Sequence, residues 1–423
     1  MFVVLLLSVA MISATDASDG SFMIPPPSIS RYPPMNLVKL TEYVGAQCLD
    51  GTPGAYYLRT VPGSTDWMFY FEGGGWCYSE TDCLMRSRTN LGTSKAYPPT
   101  MGDGGGGLIS PNPATNYFST YNLVYMKYCD GNSFSGDLAA PVLVNGTLLY
   151  FRGKAIREAV LANVLATNPA IANASRVVLT GCSAGGLSTY LHSDTVGAWV
   201  AANLKSVKSF VAIPISGFFL LETNVIDQPI YPTQMKAIFE LSNAAGGLNS
   251  RCVAAMSDDE TWKCNFAEFS YAYSAVRTFA LNSEMDSWQG ICILTSMTVV
   301  DQTHNGNCSA AAGWTTCGGN LDKCPAGNSY QPVLDFQEKF RNRVYANAGM
   351  VRDGNGGYFS SCFTHCEGQS DGPWTTWRVG GKAMGEAVKD WYLGDPMAPA
   401  ATNTYRDCTL STGMPHQCDA TCA

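Results

Sequence analysis

Short apolar runs alternate with stretches of helical periodicity along most of this chain. Buried strands are predicted where several consecutive residues are apolar or aromatic, as in 67–71, 121–128, 176–180, 207–215 and 276–283. Helices are predicted where apolar residues recur every three or four positions, in 151–166, from 186 onward, in 331–346 and within 376–393. Such alternation indicates an α/β fold with a mostly parallel sheet covered by helices on both faces.

One predicted strand and the helix after it enclose a glycine–serine motif. The segment Gly181-Cys182-Ser183-Ala184-Gly185 follows the run 176–180 directly. A strand, a sharp turn and a helix around G-x-S-x-G form a nucleophile elbow, where a strained backbone exposes the serine hydroxyl and tolerates only small neighbours. The alternative is an ordinary tight connection. We predict that Ser183 is a nucleophile and that the Ala184 amide is one donor to an oxyanion.

A serine nucleophile needs a base, and few histidines are available. The histidines of the chain are His192, His304, His365 and His416. His192 lies about 13 Å along the following helix from Ser183, too far to take its proton. His365 lies between Cys362 and Cys366, C-terminal to the serine, which matches the Ser…Asp/Glu…His order of α/β-hydrolases. His365 is therefore the predicted base; the alternative is a structural histidine in a disulfide-stapled loop.

The acid of a triad is expected after a strand, between the serine and the histidine. Asp286 follows the run 276–283, and Asp301 follows a second apolar run, 293–300, so both remain candidates from position alone. Further oxyanion donors usually come from a glycine-rich loop after an earlier strand. Gly74 and Gly75, just past the strand 67–71, fit that role.

Composition and charge exclude several classes of protein. The chain of 423 residues is 46% hydrophobic and 14% charged, with a net charge of −8 and no cluster of basic residues, which argues against nucleic-acid binding. No cofactor or metal site is expected, because the 16 cysteines form no C-x2-C pair and are predicted to pair as disulfides. Three sequons, at Asn145, Asn173 and Asn307, fit a secreted protein.

The predicted domain organisation is simple. Residues 1–17 resemble a cleaved signal peptide, and no later stretch is long and apolar enough to span a membrane, so a secreted protein of the cell wall or extracellular space is expected. Residues 18–395 are predicted to form one catalytic domain. Residues 396–423 form a cysteine-containing tail that is expected to pack on that domain. A monomer is favoured.

The cysteines near the predicted site invite two expectations. Elbow geometry exposes only the central serine, so Cys182 is expected to be a free thiol or to pair beneath the elbow. Since the number of cysteines is even, a free Cys182 requires a second free cysteine, for which Cys292 is the candidate. The loop of His365 is expected to be fastened by disulfides at Cys362, Cys366 or both, since an imidazole displaced by about 1 Å loses roughly 100-fold in rate.

Taken together, these motifs resemble the pectin acetylesterase family, whose animal relatives include the Notum carboxylesterases. The resemblance covers most of residues 45–422. The segments that carry it are Cys48-Leu49-Asp50-Gly51, Phe71-Glu72-Gly73-Gly74-Gly75-Trp76-Cys77, Tyr128-Cys129-Asp130-Gly131, Gly181-Cys182-Ser183-Ala184-Gly185-Gly186-Leu187, Asp286-Ser287-Trp288-Gln289, Ser361-Cys362-Phe363 with His365-Cys366, and Asp390-Trp391-Tyr392.

The resemblance implies an α/β-hydrolase-like fold and a Ser183–Asp286–His365 triad, and so favours Asp286 over Asp301. It implies oxyanion donors at Gly74, Gly75 and Ala184. The implied activity is the removal of acetyl groups from a polysaccharide, for which pectin is the first candidate. Departures from the plant-type pattern occur at 214–219 and 289–313, which border the expected pocket and leave substrate identity open. The alternatives are a Notum-like deacylase that removes a longer lipid acyl group from a protein, and a glycan-binding pseudoenzyme.

Overall fold

The centre of the molecule is a ten-stranded sheet. The computed structural model describes residues 33–225, 227–294, 331–407 and 418–422, and the backbone alone of 302–303 and 307–308. The strands are β1 (Met35–Lys39), β2 (Ala55–Arg59), β3 (Asp66–Phe71), β4 (Thr100–Met101), β5 (Asn122–Met126), β6 (Val142–Val144), β7 (Thr147–Leu149), β8 (Arg176–Cys182), β9 (Ser209–Ile215), β10 (Phe279–Ser283), β11 (Gln302–Thr303), β12 (Asn307–Cys308), β13 (Gly356–Ser360), β14 (Arg378–Val379), β15 (Lys382–Ala383) and β16 (Thr404–Arg406).

Helices connect most of the parallel strands. They are α1 (Glu80–Arg86), α2 (Gly153–Thr167), α3 (Ala184–Asn203), α4 (Ile230–Leu241), α5 (Ser250–Ala255), α6 (Ala267–Ser270), α7 (Ser287–Cys292), α8 (Gln331–Tyr345), α9 (Asp371–Thr376) and α10 (Met384–Leu393). Within the described residues, no helix is both long and apolar enough to cross a bilayer.

The strand order across the sheet is β16-β13-β10-β9-β8-β3-β5-β2-β1-β4. From β16 to β5 the neighbouring strands are parallel, whereas β2, β1 and β4 continue the sheet as antiparallel strands. The sheet is therefore mostly parallel, and its parallel strands end at one common edge. The predicted α/β-hydrolase-like class is confirmed.

Both faces of the sheet are buried. In β3, Trp67, Phe69 and Phe71 belong to one apolar cluster, whereas Met68 and Tyr70 belong to the cluster on the other face. Helices cover both sides, so polar residues would be unfavourable on either face of such a strand. This explains why the central strands appear in the sequence as continuous apolar runs.

Several predicted elements differ from the structure in detail. The core strands begin and end within a few residues of the predicted runs, and the helix predicted within 376–393 is α10. The apolar run 293–300, which precedes Asp301, begins at Ile293, the C-cap of α7, and 295–301 lie outside the described residues. The proposed signal peptide also lies outside them.

The strand β16 of the predicted tail pairs with β13, and a Cys362–Cys422 disulfide joins the end of that tail to the domain.

Candidate active site

The residues predicted to carry chemistry follow the carboxyl ends of four parallel strands. Ser183 comes directly after β8, and Gly74 and Gly75 follow β3. Asp286 follows β10, and His365 follows β13. Because β3, β8, β9, β10 and β13 are parallel neighbours, these segments share one edge of the sheet. This edge is where open α/β sheets place their ligand sites.

The elbow around Ser183 has the strained backbone that its sequence predicts. Ser183 has φ 62° and ψ −128°, a conformation that is costly for a residue other than glycine. A Cβ atom on Gly185 would lie 2.0 Å from the carbonyl oxygen of Phe71, so the helix can approach β3 only because this position is glycine. A Cβ atom on Gly73 would lie 2.9 Å from that of Ser183, which places the glycine-rich loop against the serine.

Asp286 and His365 form a hydrogen-bonded pair. The His365 Nδ1–H donates to Asp286 Oδ2 at 2.7 Å, and the other carboxylate oxygen accepts from the backbone amide of Gln289 at 3.0 Å. The Asp286 side chain is fully buried, and that of His365 is 17% exposed. Burial lowers the pKa of His365, but the charge of Asp286 and its hydrogen bond outweigh burial, so the pKa is raised overall. The arrangement favours an imidazolium.

The loops that carry the acid and the base are joined to each other. A β-bridge pairs Asp286 with Thr364, and the amide of Ser287 donates to the Thr364 carbonyl at 3.0 Å. The amide of Glu284 donates to the carbonyl of Ser360 at 2.8 Å. The pair therefore rests on backbone pairing that continues from the sheet, which fixes the direction of the imidazole.

A disulfide between Cys182 and Cys366 connects the segment of Ser183 to the loop of His365. The two cysteines have Cα atoms 5.8 Å apart and are separated by 184 residues in sequence. One directly precedes Ser183 and the other directly follows His365. The expectation of a free Cys182 thiol is therefore wrong: its side chain lies on the sheet face onto which the loop after β13 returns.

Of the other two expectations about cysteines, one is confirmed and one is wrong. The loop of His365 is fastened twice, by Cys182–Cys366 and by Cys362–Cys422, as predicted. Cys292 is disulfide-bonded, so its assignment as a second free thiol is wrong. The parity argument required a second free cysteine only if Cys182 was free, and Cys292 was the candidate because it lies in an apolar stretch; since Cys182 is paired, the premise of that argument fails.

The remaining imidazole nitrogen of His365 makes no hydrogen bond to the described residues. His365 Nε2 is buried and has no hydrogen-bond partner among the described residues, so the bond to the Ser183 hydroxyl is not formed in this structure. Catalytic hydrogen bonds of this type are often long before substrate binds. The nitrogen opposite the Asp286 contact is thus available to accept a proton.

The glycine-rich loop turns its carbonyl groups toward two anchoring side chains. The Arg86 guanidinium donates to the Gly74 carbonyl at 2.9 Å, and the Tyr128 hydroxyl donates to the Gly75 carbonyl at 2.8 Å. In a trans peptide the N–H points opposite to the carbonyl, so the amides of Gly75 and Trp76 face away from these anchors. Among the described residues, the amides of Gly74, Gly75, Trp76 and Ala184 have no protein acceptor.

Sequence reasoning missed the Trp76 amide and the groups that hold this loop. The Trp76 indole donates to the Ser133 hydroxyl at 2.7 Å, and that hydroxyl donates to the Ala184 carbonyl at 3.0 Å. A polar chain therefore connects the glycine-rich loop to the helix that begins at the elbow. Trp76 belongs to the Glu-Gly-Gly-Gly-Trp-Cys motif, so its position beside the glycines was the available signal.

Glu367 was missed as well. It is 1% exposed, and its Oε2 accepts from the Ser216 hydroxyl at 3.1 Å, while Oε1 is buried without a partner. The same hydroxyl accepts from the amide of Cys366 at 2.9 Å. Burial raises the pKa of Glu367 to about 7, and the charge of Asp286 adds to this. A second carboxyl group therefore lies behind the loop of the histidine.

His192 has a structural environment, as the sequence indicated. It is fully buried, with Nε2 2.8 Å from the carbonyl oxygen of Ser133 and Nδ1 2.5 Å from the Arg157 guanidinium. Burial, together with the positive charge of Arg157, holds the pKa of His192 well below its usual range. A neutral imidazole in this network stabilises the helix behind the elbow.

Comparison with known proteins shows the family to which the chain is similar. The family model described as "Pectinacetylesterase" matches residues 29–423. Pectin acetylesterase 11 of Arabidopsis thaliana is 30% identical over 374 residues, which is 86% of this chain and 88% of the relative. The palmitoleoyl-protein carboxylesterase NOTUM of Schmidtea mediterranea is 28% identical over 273 residues, 61% of this chain and 50% of the relative.

A solved structure shows the same fold. The structure of the Wnt deacylase Notum from Drosophila superposes with a TM-score of 0.70 at 19% identity, covering 92% of this chain and all of that one. The match of the family model over nearly the whole sequence, together with relatives at 30% identity along most of their own length, decides the classification. This chain belongs to the pectinacetylesterase family.

Proposed function

We propose that this protein is a secreted carboxylic ester hydrolase that removes acetyl groups from a polysaccharide through a triad of Ser183, His365 and Asp286. Pectin is the first candidate for this polysaccharide. The observation that carries the proposal is the Asp286–His365 hydrogen bond of 2.7 Å, on a loop that the Cys182–Cys366 disulfide joins to the strained elbow of Ser183. Membership of the pectinacetylesterase family supports the reaction class.

The reaction follows from the roles of these groups. Ser183 Oγ attacks the acetyl carbonyl carbon while His365 Nε2 takes the hydroxyl proton, and Asp286 stabilises the imidazolium. The amides of Ala184, Gly74, Gly75 and Trp76 are the candidate donors to the oxyanion. The attack forms a tetrahedral intermediate that carries the oxyanion. Its collapse breaks the ester bond, and His365 returns the proton to the departing sugar oxygen. A water molecule then repeats the sequence and releases acetate.

The substrate class rests on the relatives. Four pectin acetylesterases of Arabidopsis thaliana match 85% to 94% of this chain, whereas the Notum-type relatives match 37% to 61%. Disulfides among the described residues fit an oxidising, extracellular location. The second candidate function, removal of a lipid acyl group from a protein, is favoured only by the shared fold and these shorter matches.

Two measurements test the proposal. Acetate release should be followed from acetylated pectin, acetylated xylan and chitin oligomers, with fluorophosphonate labelling to report an activated serine. Ser183→Ala should abolish labelling and lower kcat by about 10³-fold or more. Absence of both labelling and ester hydrolysis in the wild-type protein would favour a binding protein. Hydrolysis of long acyl esters with no acetate release from any glycan would favour the lipid deacylase.

A further inference from the structure

A strained turn lies behind the segments that are predicted to bind the oxyanion. In the loop after β5, Ser133 has φ 48° and Phe134 has φ 58°, in the left-handed region that residues other than glycine rarely adopt. Both residues are fully buried. The Asp130 carboxylate fixes the turn, because it accepts from the amides of Asn132 at 3.3 Å and Phe134 at 3.2 Å. Such conformations cost energy and persist only where surrounding contacts impose them, commonly at functional sites.

The hydroxyl of Ser133 joins the two predicted parts of the oxyanion hole. It accepts from the Trp76 indole at 2.7 Å and donates to the Ala184 carbonyl at 3.0 Å. An indole N–H can only donate, so the direction of both hydrogen bonds is fixed. Trp76 lies at the end of the glycine-rich loop after β3, and Ala184 is the first residue of α3. One buried hydroxyl therefore sets the spacing between the segments whose amides are the candidate donors.

The amide of Ser133 acts on the same loop by a second route. It donates to the Tyr128 hydroxyl at 3.0 Å, and that hydroxyl donates to the Gly75 carbonyl at 2.8 Å. The Gly75 carbonyl and the Trp76 amide belong to one peptide plane, in which the N–H points opposite to the carbonyl. The direction of the Trp76 amide is thus set through Tyr128, while the position of its side chain is set by the Ser133 hydroxyl.

The carbonyl of Ser133 contacts the helix behind the elbow. It accepts from the Ser188 hydroxyl at 3.0 Å and from His192 Nε2–H at 2.8 Å, and both of these residues lie on α3. The amide, the hydroxyl and the carbonyl of one residue therefore each have a separate partner. Rotation about φ turns the amide relative to the side chain and the carbonyl, so these partners together account for the left-handed backbone.

We propose that Ser133 is a positioning residue for the oxyanion hole, which holds the Trp76 and Ala184 amides in a fixed relation before substrate binds. This inference rests on the proposed function, since it concerns the same ester hydrolysis, but it does not depend on the length of the acyl group. Ser133 acts through Trp76 and Ala184 and does not itself touch the substrate. Donors that are fixed in advance stabilise the developing charge without reorganisation, so the effect should appear in kcat.

The first test is Ser133→Ala, which removes the hydroxyl that joins the two segments. We expect kcat to fall by about 10- to 100-fold with little change in KM, because displaced oxyanion donors weaken binding of the transition state. The substrate is the nitrophenyl ester, from C2 to C8, that the wild-type protein cleaves fastest. Rates are expressed per active site, titrated to completion with a fluorophosphonate, so that a smaller folded fraction does not lower kcat.

Ser135→Ala is the matched control for this substitution. Ser135 is also fully buried and lies two residues further along the same turn. Its Oγ atom lies 3.4 Å from both the Ser133 carbonyl and His192 Nε2, on the side of the turn that faces α3. The control should keep kcat within about twofold of wild type.

A trifluoromethyl ketone inhibitor separates positioning from a merely structural role. Ser183 Oγ adds to the ketone carbon, its proton passes to His365, and the ketone oxygen becomes an alkoxide in the oxyanion hole. The inhibition constant in Ser133→Ala should rise by the same factor by which kcat falls, since the adduct resembles the transition state. A serine that only fills the core would leave the inhibition constant of the folded enzyme unchanged.

Ser133→Gly keeps the test decisive if the alanine variant folds poorly. Glycine adopts φ 48° without strain, so this variant should melt at a higher temperature than Ser133→Ala and yet have an equally low kcat. A kcat within about twofold of wild type in Ser133→Gly, with an unchanged inhibition constant, overturns the inference. A wild-type protein that cleaves no ester overturns the proposed function and this inference with it, whereas one that cleaves only long esters overturns the acetyl assignment alone.

Discussion

At the residue scale, the candidate site contains two buried carboxyl groups of different character around one imidazole. Asp286 bonds His365 directly and is capped by a backbone amide. Within the described part of the chain, Glu367 has one serine hydroxyl as its side-chain partner, and its other oxygen is unpaired. Environment, and not residue type, therefore separates a carboxylate that assists the base from a carboxyl that is neutral over much of the acid range.

The first prediction concerns Asp286→Asn. Loss of the carboxylate removes support for the imidazolium and for the correct tautomer, so kcat should fall by about 10⁴-fold. Because Asp286 raises the pKa of His365, the acid limb of the residual activity should move to lower pH. The measurement is kcat/KM for an acetyl ester between pH 4 and 9. An acid limb at its original position, or a loss below tenfold, would argue that another group is the acid.

The second prediction concerns the stability contributed by Glu367. Its pKa is about 7 in the folded protein, against 4.5 as the ordinary value, so the folded state holds its proton more tightly. The contribution is fully present below about pH 4.5 and declines as the pH rises to about 7, by roughly 3 kcal/mol in all. Glu367→Gln should flatten this decline.

Urea unfolding between pH 4 and 8 measures the effect. The difference in unfolding free energy between Glu367→Gln and the wild type should grow with pH up to about 7 and then stay constant. A difference that does not depend on pH would show that the carboxyl group titrates normally.

Residue-scale prediction from the sequence is most specific where chain order and spacing restrict the choice. The scarcity of histidines and the order of the triad point to His365, and the small residues around Ser183 point to the elbow. The choice between Asp286 and Asp301 needed the family pattern, since both follow apolar runs. Glu367 could not be predicted, because its properties depend on burial. For the Trp76 amide the only signal was its place in the Glu-Gly-Gly-Gly-Trp-Cys motif, since the direction of a peptide plane cannot be read from the sequence.

At the element scale, the junction of β3, β8 and α3 depends on close backbone approach. The third prediction is that Gly185→Ala strongly destabilises the protein, since the new Cβ atom would lie 2.0 Å from the Phe71 carbonyl oxygen and force the helix away from the sheet. We expect a loss of a few kcal/mol, typical of overpacking in a core. Gly372→Ala is the control, because a Cβ atom there has no neighbour within 4 Å. Equal melting temperatures for the two variants would contradict this account.

The fourth prediction tests the disulfide that joins the loops of the nucleophile and the base. The double variant Cys182→Ser, Cys366→Ser should lose roughly 100-fold in kcat, the effect expected when a catalytic group moves by about 1 Å. Replacing the Cys252–Cys264 pair, whose sequence separation is 12, is the control and should leave kcat close to wild type. Circular dichroism verifies that both variants are folded.

Mild reduction of the wild-type protein gives the same test without mutation. Activity should fall in parallel with alkylation of Cys182 and Cys366, mapped by mass spectrometry, while the melting transition persists. Full activity with both cysteines alkylated would mean that backbone pairing alone holds the site together.

At the scale of the whole molecule, the class of fold was predictable because a sheet covered on both faces needs continuous apolar strands. The seven parallel strands are largely of this kind. The antiparallel edge was not predicted: β1 and β2 are five residues each, β1 has exposed positions and β2 contains the charged Arg59, so they lack a clear signal. Disulfide partners were equally hidden, since cysteines 184 residues apart become neighbours only through the tertiary fold.

The pairing of Cys182 has a consequence for how the protein is made. Four cysteines precede it in the sequence, and they pair among themselves, as Cys48–Cys129 and Cys77–Cys83. A chain emerging from the ribosome therefore has no correct partner for Cys182 until residue 366 has been synthesised. Throughout that interval the predicted nucleophile is present without the predicted base, so the proposed triad is incomplete, and the bond that ends the interval joins the segments that carry the two residues. The proposed triad is thus completed late in synthesis, and the disulfide that fastens it forms only in a compartment that oxidises thiols.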